Sequence, residues 1–471
     1  MFMRHAVRQW FFLAVFLILL LIVSSCGSSS PVLFEQTKLS IHGRPTPGPL
    51  GVVTNRQPCS AIACTPTPVA GNPVPVNTGN PGTGNNPNAP AITSVLGSHL
   101  IDASNNIHTF LTFSYNVNDP ASIAKAYDFV WGAETYQVQG FRASNPNIML
   151  SYYIPYNRDV GAYGQADLAK QHDLNYWRSN HPDWVLYKCD GSTPAYLDDN
   201  TIPLDISNPD VVNYQMQNGA IPASQNGYDA LATDNVNLEN TTGACGFYHG
   251  GQWIQRYSGN TDDPQWRSDI LGWMTRLQEA LHALPHPMAL VPNLSLAPLS
   301  PGDPFAQQIA DHVDAILDEG GFTQYGQGYL TDNAWLQTVQ YIKSVQQRQK
   351  PYYILNEVPD TGNDQMQWNI ASYLMAKERY SAIFIAHNQD YGSDKRYNEY
   401  NTQIGAPTGE MYSGQSVYWR NYSGGVVVVN PSGSNSYTVS APAGNFSDMY
   451  GNHVGQSFTM PPHSGMVLLN A

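Results

Sequence analysis

Carboxylate side chains close three apolar segments of the chain that look like β-strands. Asp234, Glu319 and Glu357 each follow a run rich in aliphatic and aromatic residues. A carboxylate beside a buried strand costs free energy unless it has a partner or a function. Hydrolysis of a glycosidic bond requires two such groups, one to protonate the leaving oxygen and one to attack carbon or to activate water. The residue types and their positions therefore predict glycoside hydrolysis.

Asp234 and Glu319 are the predicted catalytic pair, with Asp234 as nucleophile and Glu319 as general acid/base. They end the fourth and sixth predicted strands, which would place them across one mouth of a closed sheet. Two neighbouring carboxyl groups separate each other's pKa values, so that one stays protonated near neutral pH. Two alternatives remain. Asp318 precedes Glu319 and would face the opposite side of the strand, and Glu357 could be the acid while Glu319 binds a sugar hydroxyl.

Other polar and aromatic side chains near predicted strand ends form the expected substrate-binding set. His387 fits a ligand of a sugar hydroxyl, and it also fits a buried core histidine. The remaining members of the set are Tyr115, Tyr153, Asn235, Asn293, Asp318 and Glu357. No metal site is expected, because Pro285 interrupts the helix between His282 and His286, and no organic cofactor is expected either.

Alternating strand and helix patterns must position these residues. The predicted strands are 107–115, 147–154, 184–189 with 202–206, 228–234, 288–294, 313–319, 351–357 and 380–387. Helical spacing of apolar residues marks 122–131, 168–179, 209–217, 264–284, 304–310, 334–348 and 365–379. Eight strand regions and seven helices over about 300 residues predict a (β/α)₈ (TIM) barrel at 92–410. An open doubly wound sheet is the alternative, but its glycine-rich phosphate loop is missing.

After residue 410 the helical pattern stops. Short strands at 417–420, 425–430, 437–440, 446–450 and 465–469 are separated by turns rich in Pro, Gly, Ser and Asn. They predict a small antiparallel β-sandwich at 411–471.

The N-terminus looks like a targeting segment. Residues 1–25 combine a basic start with an apolar run too short for a comfortable membrane span, and the run ends at Cys26 as in a bacterial lipobox. A plain signal peptide with a fortuitous cysteine is the alternative. Residues 26–91 are rich in Pro, Gly, Asn and Thr and predict an extended linker. We therefore expect an exported, cell-surface lipoprotein whose lipid on Cys26 anchors it to the membrane.

The net charge and the aromatic content of the chain indicate which kinds of molecule it binds. The chain of 471 residues has a net charge of −14, which argues against nucleic acid because phosphate binding needs a basic surface. It contains 29 Tyr and 10 Trp, and such aromatic faces suit a carbohydrate substrate. Four cysteines besides Cys26, namely Cys59, Cys64, Cys189 and Cys245, permit disulfides whose pairing the sequence leaves open.

The passages 204–211 and 227–236 resemble the third-to-fourth strand region of barrel glycosidases, including groups like the α-galactosidases and endo-α-galactosaminidases. Over about residues 100 to 410 the chain resembles the hypothetical glycosyl hydrolase 15 family. That resemblance implies a barrel fold and activity on α-linked sugars. It also implies a nucleophilic aspartate on strand four and an acid/base carboxylate on strand six, at Asp234 and Glu319. Strand six ends in Asp-Glu rather than in a lone Asp, so Asp318 remains a competitor.

Two hypotheses for the function follow. The first is a retaining glycoside hydrolase acting on an extracellular or cell-envelope polysaccharide or oligosaccharide. The second is a non-catalytic, carbohydrate-binding surface lipoprotein, which a wide separation of the carboxylates would favour. A third, an envelope scaffold, does not explain three carboxylates at one mouth.

Overall fold

The computed structural model describes residues 107–159, 172–196, 201–294, 302–388 and 390–471, together with Leu96 and Leu100. The predicted signal segment, Cys26, the linker, Cys59 and Cys64 lie outside this part of the chain. Within it, no helix is both long and apolar enough to cross a membrane.

Eight parallel strands form the barrel predicted from the sequence. They are β1 Phe110–Thr112, β2 Phe129–Trp131, β3 Met149–Pro155, β4 Ala230–Val236, β5 Ala289–Leu294, β6 Ile316–Asp318, β7 Tyr352–Val358 and β8 Ser381–His387. Each pairs with the next in chain order. The sheet closes where Thr109 pairs with Ile383, whose backbone N–H donates to the His108 carbonyl at 3.0 Å. All eight strands therefore present their C-terminal ends to one mouth.

Large aromatic rings fill the barrel interior. The rings of Phe129 and Tyr353 stack with their centroids 4.4 Å apart, and Phe110 lies 5.3 Å from Tyr353. All three side chains are buried. This packing explains why the short strands β1 and β2 are almost wholly apolar.

The identities of the second and third strands differ from the prediction. Residues 122–131 were expected to be one helix, which is wrong: the helix ends at Ala126, Tyr127 is extended, and β2 follows. A buried strand of three apolar residues has too few positions to show a period of two. Its residues also fit the helical spacing of the preceding segment, so the strand was assigned to the helix. The segment 147–154, predicted as the second strand, consequently lies in β3.

The predicted third strand region, 184–189 with 202–206, lies outside the barrel sheet. Tyr187–Lys188 pairs instead with the hairpin Ala244–His249 and Gln252–Gln255 in a three-stranded antiparallel sheet. A disulfide joins Cys189 to Cys245 and ties this accessory sheet together. The prediction missed β2 and counted one region outside the barrel as a strand. The number of strands is therefore unchanged, and strands four to eight have the order that was predicted.

Helices connect the strands. They are α1 Pro120–Ala126, α2 Val138–Ser144, α3 Leu174–Asn180, α4 Pro209–Gln215, α5 Ile221–Gln225, α6 Pro264–His282, α7 Pro304–Asp311, α8 Asp332–Gln347 and α9 Asn363–Ala376, with a π-helical turn Met216–Ala220 between α4 and α5. Several begin with an Asp or Asn cap followed by proline. Asp263, for example, accepts from the backbone N–H groups of Gln265 and Trp266.

The C-terminal region is antiparallel, as predicted. Its strands are β9 Tyr412–Gly414, β10 Val417–Tyr422, β11 Gly425–Asn430, β12 Tyr437–Ser440, β13 Phe446–Asp448, β14 His453–Val454, β15 Ser457–Met460 and β16 Ser464–Asn470. Six of them form one sheet, and β12 pairs with β15 in a second. One face of the larger sheet packs against the second sheet through Trp419, Val428 and Met460.

The other face of the larger sheet packs on the barrel. Val427 and Val467 belong to the same hydrophobic core as the barrel strands. The Arg420 guanidinium, 1% exposed, donates to the carbonyls of Leu374, Met375 and Lys377. These are the last carbonyls of α9 and the residue after it, which lack helical partners. The C-terminal region thus caps a barrel helix.

Candidate active site

Six side chains meet at the mouth of the barrel, four from strands β3, β4, β5 and β7 and two from the segments that follow β6 and β8. Hydrogen bonds join all six side chains, with Glu319 and Glu357 linked through Tyr391, so the three carboxylates belong to one connected network. In order, its members are Tyr153 from β3, Asp234 from β4, Asn293 from β5, Glu319 directly after β6, Glu357 from β7 and Tyr391 from the loop after β8.

Asp234 is buried and both of its carboxylate oxygens accept hydrogen bonds. Oδ2 accepts from the Tyr153 hydroxyl at 2.7 Å and from Asn235 Nδ2 at 3.1 Å. Oδ1 accepts from the backbone N–H of Asn235 at 2.8 Å and from Asn293 Nδ2 at 2.9 Å. Asn235 has a φ of +58°, a left-handed conformation that asparagine tolerates better than most residues. The backbone thus turns to aim its N–H at Asp234.

Asn293 joins the two predicted catalytic residues. Its Nδ2 atom donates to Asp234 Oδ1 at 2.9 Å and to Glu319 Oε2 at 2.6 Å. Because one nitrogen contacts both oxygens, these oxygens can be separated by no more than the sum of the two distances, 5.5 Å. The carboxyl groups of retaining glycosidases lie about 5–5.5 Å apart, and those of inverting enzymes roughly 6.5–9.5 Å apart.

Glu319 is also linked to Glu357. The Tyr391 hydroxyl lies 2.8 Å from Glu319 Oε1 and forms a second hydrogen bond with Glu357 Oε1. Burial raises the pKa of Glu319 to about 7, and the negative charges of Asp234 and Glu357 act in the same direction. The Asn293 and Tyr391 hydrogen bonds oppose this shift of the pKa without cancelling it. Glu319 thus has the proton affinity of a general acid at neutral pH.

Asp318, the competitor of Glu319, faces away from this network. Its Oδ1 accepts from the backbone N–H groups of Gly320 and Gly321 at 3.0 and 3.2 Å, and its Oδ2 accepts from the Tyr352 hydroxyl at 2.9 Å. These contacts hold the turn after β6. The alternation of side chains along a strand therefore separates the two acids, and the structure does not bring Asp318 to the other predicted binding residues.

The remaining predicted binding residues lie at the rim. Tyr115 is 41% exposed, and its ring packs against Gly392. His387 ends β8, where its Nε2 lies 2.9 Å from the Pro359 carbonyl oxygen and 2.9 Å from Asn388 Nδ2. Both positions are compatible with contact to a bound sugar chain.

Two residues of the site were not predicted. Tyr391 lies in a loop, four positions after the end of β8. Phe113 follows β1 with a φ of +60°, which is unusual for a bulky residue. Its ring centroid lies 5.3 Å from that of Tyr153 and 6.4 Å from that of Tyr391. An aromatic residue just beyond a strand end was the signal available for Phe113, as it was for Tyr115, whereas the position of Tyr391 depends on the course of its loop.

Polar groups at the opposite end of the barrel have structural partners. Asp229 accepts from Arg142 and from the backbone N–H of Leu150, and residues at this face of a barrel contribute to stability. His282 Nε2 lies 2.9 Å from Asp314 Oδ2. Among the described residues, no group of three or more His, Cys, Asp or Glu side chains is placed to hold a metal ion.

A closed parallel barrel with three carboxylates joined at its mouth is suited to glycoside hydrolysis. A family model described as hypothetical glycosyl hydrolase family 15 matches residues 142–426. The chain belongs to this family and is a glycoside hydrolase, as the resemblance of its strand-four region implied. No curated protein sequence matches the chain.

Solved structures similar to this chain include sugar-processing enzymes. An α-amylase from Anoxybacillus is 9% identical over 79% of this chain and 99% of its own, with a TM-score of 0.41. An α-amylase from Malbranchea cinnamomea is 11% identical, with coverages of 77% and 96% and a TM-score of 0.43. The cycloalternan-forming enzyme from Listeria monocytogenes is 10% identical, with coverages of 81% and 43% and a TM-score of 0.41. Similarity at this level says nothing about substrate.

Replacing Asn293 by Ala tests the bridge between the two acids. Loss of a hydrogen bond to a charged group costs about 1.5–3 kcal/mol, so we expect kcat to fall about 10- to 100-fold. The Asn293 hydrogen bond lowers the pKa of Glu319, so its removal should also move the basic limb of the activity profile to higher pH. Kinetics across pH measure both effects. An unchanged kcat and an unchanged profile would show that the bridge has no catalytic role.

Proposed function

We propose that this chain is a retaining glycoside hydrolase that acts on an extracellular or cell-envelope polysaccharide or oligosaccharide. Asp234 is the nucleophile and Glu319 the general acid/base. The observation that carries the proposal is the contact of one amide nitrogen, Asn293 Nδ2, with both carboxyl groups. It limits the separation of their nearest oxygens to a value that fits retention rather than inversion.

The reaction follows in two steps. First, an oxygen of Asp234 forms a bond to the anomeric carbon while the bond to the leaving oxygen breaks, and Glu319 gives that oxygen its proton. The leaving part of the sugar departs as a neutral alcohol. Second, Glu319 takes a proton from water as the water oxygen attacks the anomeric carbon, and the ester to Asp234 breaks. Two displacements restore the original anomeric configuration.

The choice of Glu319 over Glu357 rests on the contacts of the two residues. Glu319 shares Asn293 with Asp234, whereas Glu357 is joined to the network through Tyr391. The proton donor must stand opposite the nucleophile across one glycosidic bond, which the shared amide favours for Glu319. We assign Glu357, together with Tyr115, Asn235 and His387, to contacts with sugar hydroxyl groups or rings.

The activity should fall as pH rises through about 7. Glu319 must carry a proton in the first step, and burial together with two neighbouring carboxylates raises its pKa to about 7. The active form is present below that pKa and is lost above it. Measurement of kcat/KM between pH 5 and 9 tests this expectation. A basic limb that starts only above about pH 9 would contradict Glu319 as the acid, since a group with this pKa would by then be fully ionised.

A panel of polysaccharides and oligosaccharides, with the first-formed product anomer followed by NMR, tests the proposed function. The proposal predicts a product of the same anomeric configuration as the substrate. A product of inverted configuration would reject Asp234 as nucleophile. A substrate with an α-linkage would agree with the resemblance of the strand-four region to α-acting barrel enzymes.

We also propose that the enzyme is exported and held at the membrane by a lipid on Cys26. The apolar run before Cys26 and the linker after it support this proposal. Mass spectrometry of the mature N-terminus is the test: a diacylglycerol-modified Cys26 is expected. A mature, unmodified N-terminus downstream of Cys26 would reject the anchor.

A further inference from the structure

One hydroxyl group contacts two carboxyl groups at the centre of the site. Tyr391 lies within hydrogen-bonding distance of Glu319 Oε1 and of Glu357 Oε1. A phenol has one hydrogen to donate and can also accept. It can therefore donate to only one of the two glutamates, and its second hydrogen bond requires the other glutamate to carry a proton.

The three possible charge states of the pair differ in how many of these bonds they can form. With both glutamates ionised, one of them faces the phenol oxygen with no hydrogen between the two atoms. With both protonated, the phenol hydrogen has no carboxylate to receive it. With one proton on the pair, one glutamic acid donates to Tyr391 and Tyr391 donates to the other. The geometry thus fits the singly protonated pair best.

We propose that, in the free enzyme, Tyr391 keeps a single proton on the Glu319–Glu357 pair and is the positioning residue of the acid/base. This inference rests on the proposed function for its place in the reaction, but the proton count depends on the geometry alone. Burial and the two glutamates hold the pKa of Tyr391 well above its usual range, so its own hydrogen stays in place.

The other groups around the pair are consistent with this arrangement. Asp234 is linked to Glu319 by hydrogen bonds to Asn293, and its negative charge raises the pKa of Glu319. The backbone of Gly326 lies against Glu357, because a Cβ added at Gly326 would be 3.3 Å from Glu357 Cβ and 3.4 Å from Glu357 Oε2. Phe113 packs beside the Tyr391 ring. Glu357 is buried and Glu319 is partly buried beside the hydroxyl that joins them.

The shared proton also keeps the charge of the site constant through the reaction. In the free enzyme Asp234 carries one negative charge and the pair carries one. After the first step Asp234 is an uncharged ester, while Glu319 has given up its proton, so the pair carries two. The total is the same, and Tyr391 can then direct its hydrogen to the newly ionised Glu319. Attack of water returns the proton to Glu319.

The test is a double-mutant cycle read by carboxyl ¹³C NMR of labelled glutamate in the whole protein. In the wild-type background, Tyr391→Phe removes the bridge from the singly protonated pair. A hydrogen bond donated by Tyr391 lowers the pKa of Glu319 taken alone, but the singly protonated pair forms one more hydrogen bond with Tyr391 than the doubly ionised pair does, so the upper pKa of the pair should fall by about one unit when the bridge is lost. In the Glu357→Leu background, the Tyr391 hydrogen is free to be donated to Glu319, and a hydrogen bond to the ionised carboxylate is stronger than one with the neutral acid, which favours the ionised form. There Tyr391→Phe should raise the pKa of Glu319 by about one unit.

The reversal of sign is the decisive result, because a purely structural role would not produce it. A rise in both backgrounds would show that Tyr391 is a simple donor, and no shift in either would show no role, so each result overturns the inference. Tyr353→Phe is the matched control: its buried hydroxyl has no hydrogen-bond partner among the described residues, so the titration should not change.

The NMR readout needs no substrate, which separates this inference from the proposed function. Turnover by Asp234→Asn and Glu319→Gln would reject the proposed catalytic pair and leave the titration result standing. Loss of turnover in both variants without the sign reversal would reject only the role of Tyr391.

Discussion

Asp234→Asn is expected to lower kcat at least about 10⁴-fold while leaving the melting temperature nearly unchanged. The amide cannot form the glycosyl ester that the first step requires. It keeps the shape of the side chain and one oxygen that can accept the hydrogen bonds of Asn235 and Asn293. The fold should therefore persist. Single-turnover kinetics on a substrate found in the glycan panel, together with a thermal melt, measure both quantities.

Glu319→Gln should behave differently in one respect. It should lower kcat about 10²- to 10⁴-fold on natural glycans, because the leaving oxygen no longer receives a proton. On an aryl glycoside with an acidic leaving group, the first step needs no acid and should recover. If the loss of kcat depends on the leaving group in this way, Glu319 is the acid. The effect of Glu357→Gln on kcat should not depend on the leaving group.

Asp318→Asn is the matched control for both variants. Asp318 lies next to Glu319 in sequence, but its oxygens face the Gly320 and Gly321 backbone and the Tyr352 hydroxyl. An amide oxygen can keep the backbone contacts, so kcat should stay within a few-fold of the wild-type value. If Asp318→Asn abolished turnover and Glu319→Gln did not, the two acids would exchange roles and the account of the site would be wrong.

Arg420→Met is expected to have the largest effect on stability, a loss of about 3–5 kcal/mol in the free energy of unfolding. The guanidinium is buried between the C-terminal sheet and α9 and pairs with Glu378. Its loss leaves the last carbonyls of α9 without partners and Glu378 without its buried cation. Methionine fills much of the same volume, so the cost is that of the unpaired polar groups rather than of a cavity.

Equilibrium unfolding in urea, followed by tryptophan fluorescence, measures this loss. Arg396→Met is the control, since Arg396 forms an exposed ion pair with Asp394, which is expected to contribute at most about 1 kcal/mol. Equal effects of the two substitutions would contradict the view that the C-terminal region stabilises the barrel through α9.

The barrel and most of the carboxylates at its mouth could be predicted from the sequence, because each strand and the polar residue near its end form a local pattern. Asp234, Glu357 and Asn293 each lie near the end of an apolar strand. In a barrel, strand ends converge whatever the loops do. The error in assigning the second and third strands did not change the predicted catalytic pair, since β4 to β8 were each recognised from their own residues.

Other parts depended on contacts distant in sequence. Tyr391 reaches the acids only through the course of the loop after β8, and no spacing rule predicts that course. Arg420 looks like a surface residue in a strand until α9 is placed beneath it. The choice between Asp318 and Glu319 needed the strand's orientation, which the Tyr352 contact supplies.

The most direct test of the central claim is to look for the covalent intermediate. Glu319→Gln slows the second step, so enzyme mixed with an activated aryl glycoside and quenched in acid should accumulate the glycosyl ester. Peptide mass spectrometry is expected to place one sugar residue on Asp234. A sugar on Glu357 or on Glu319 itself, or a reaction that proceeds with inversion and no adduct, would contradict the mechanism.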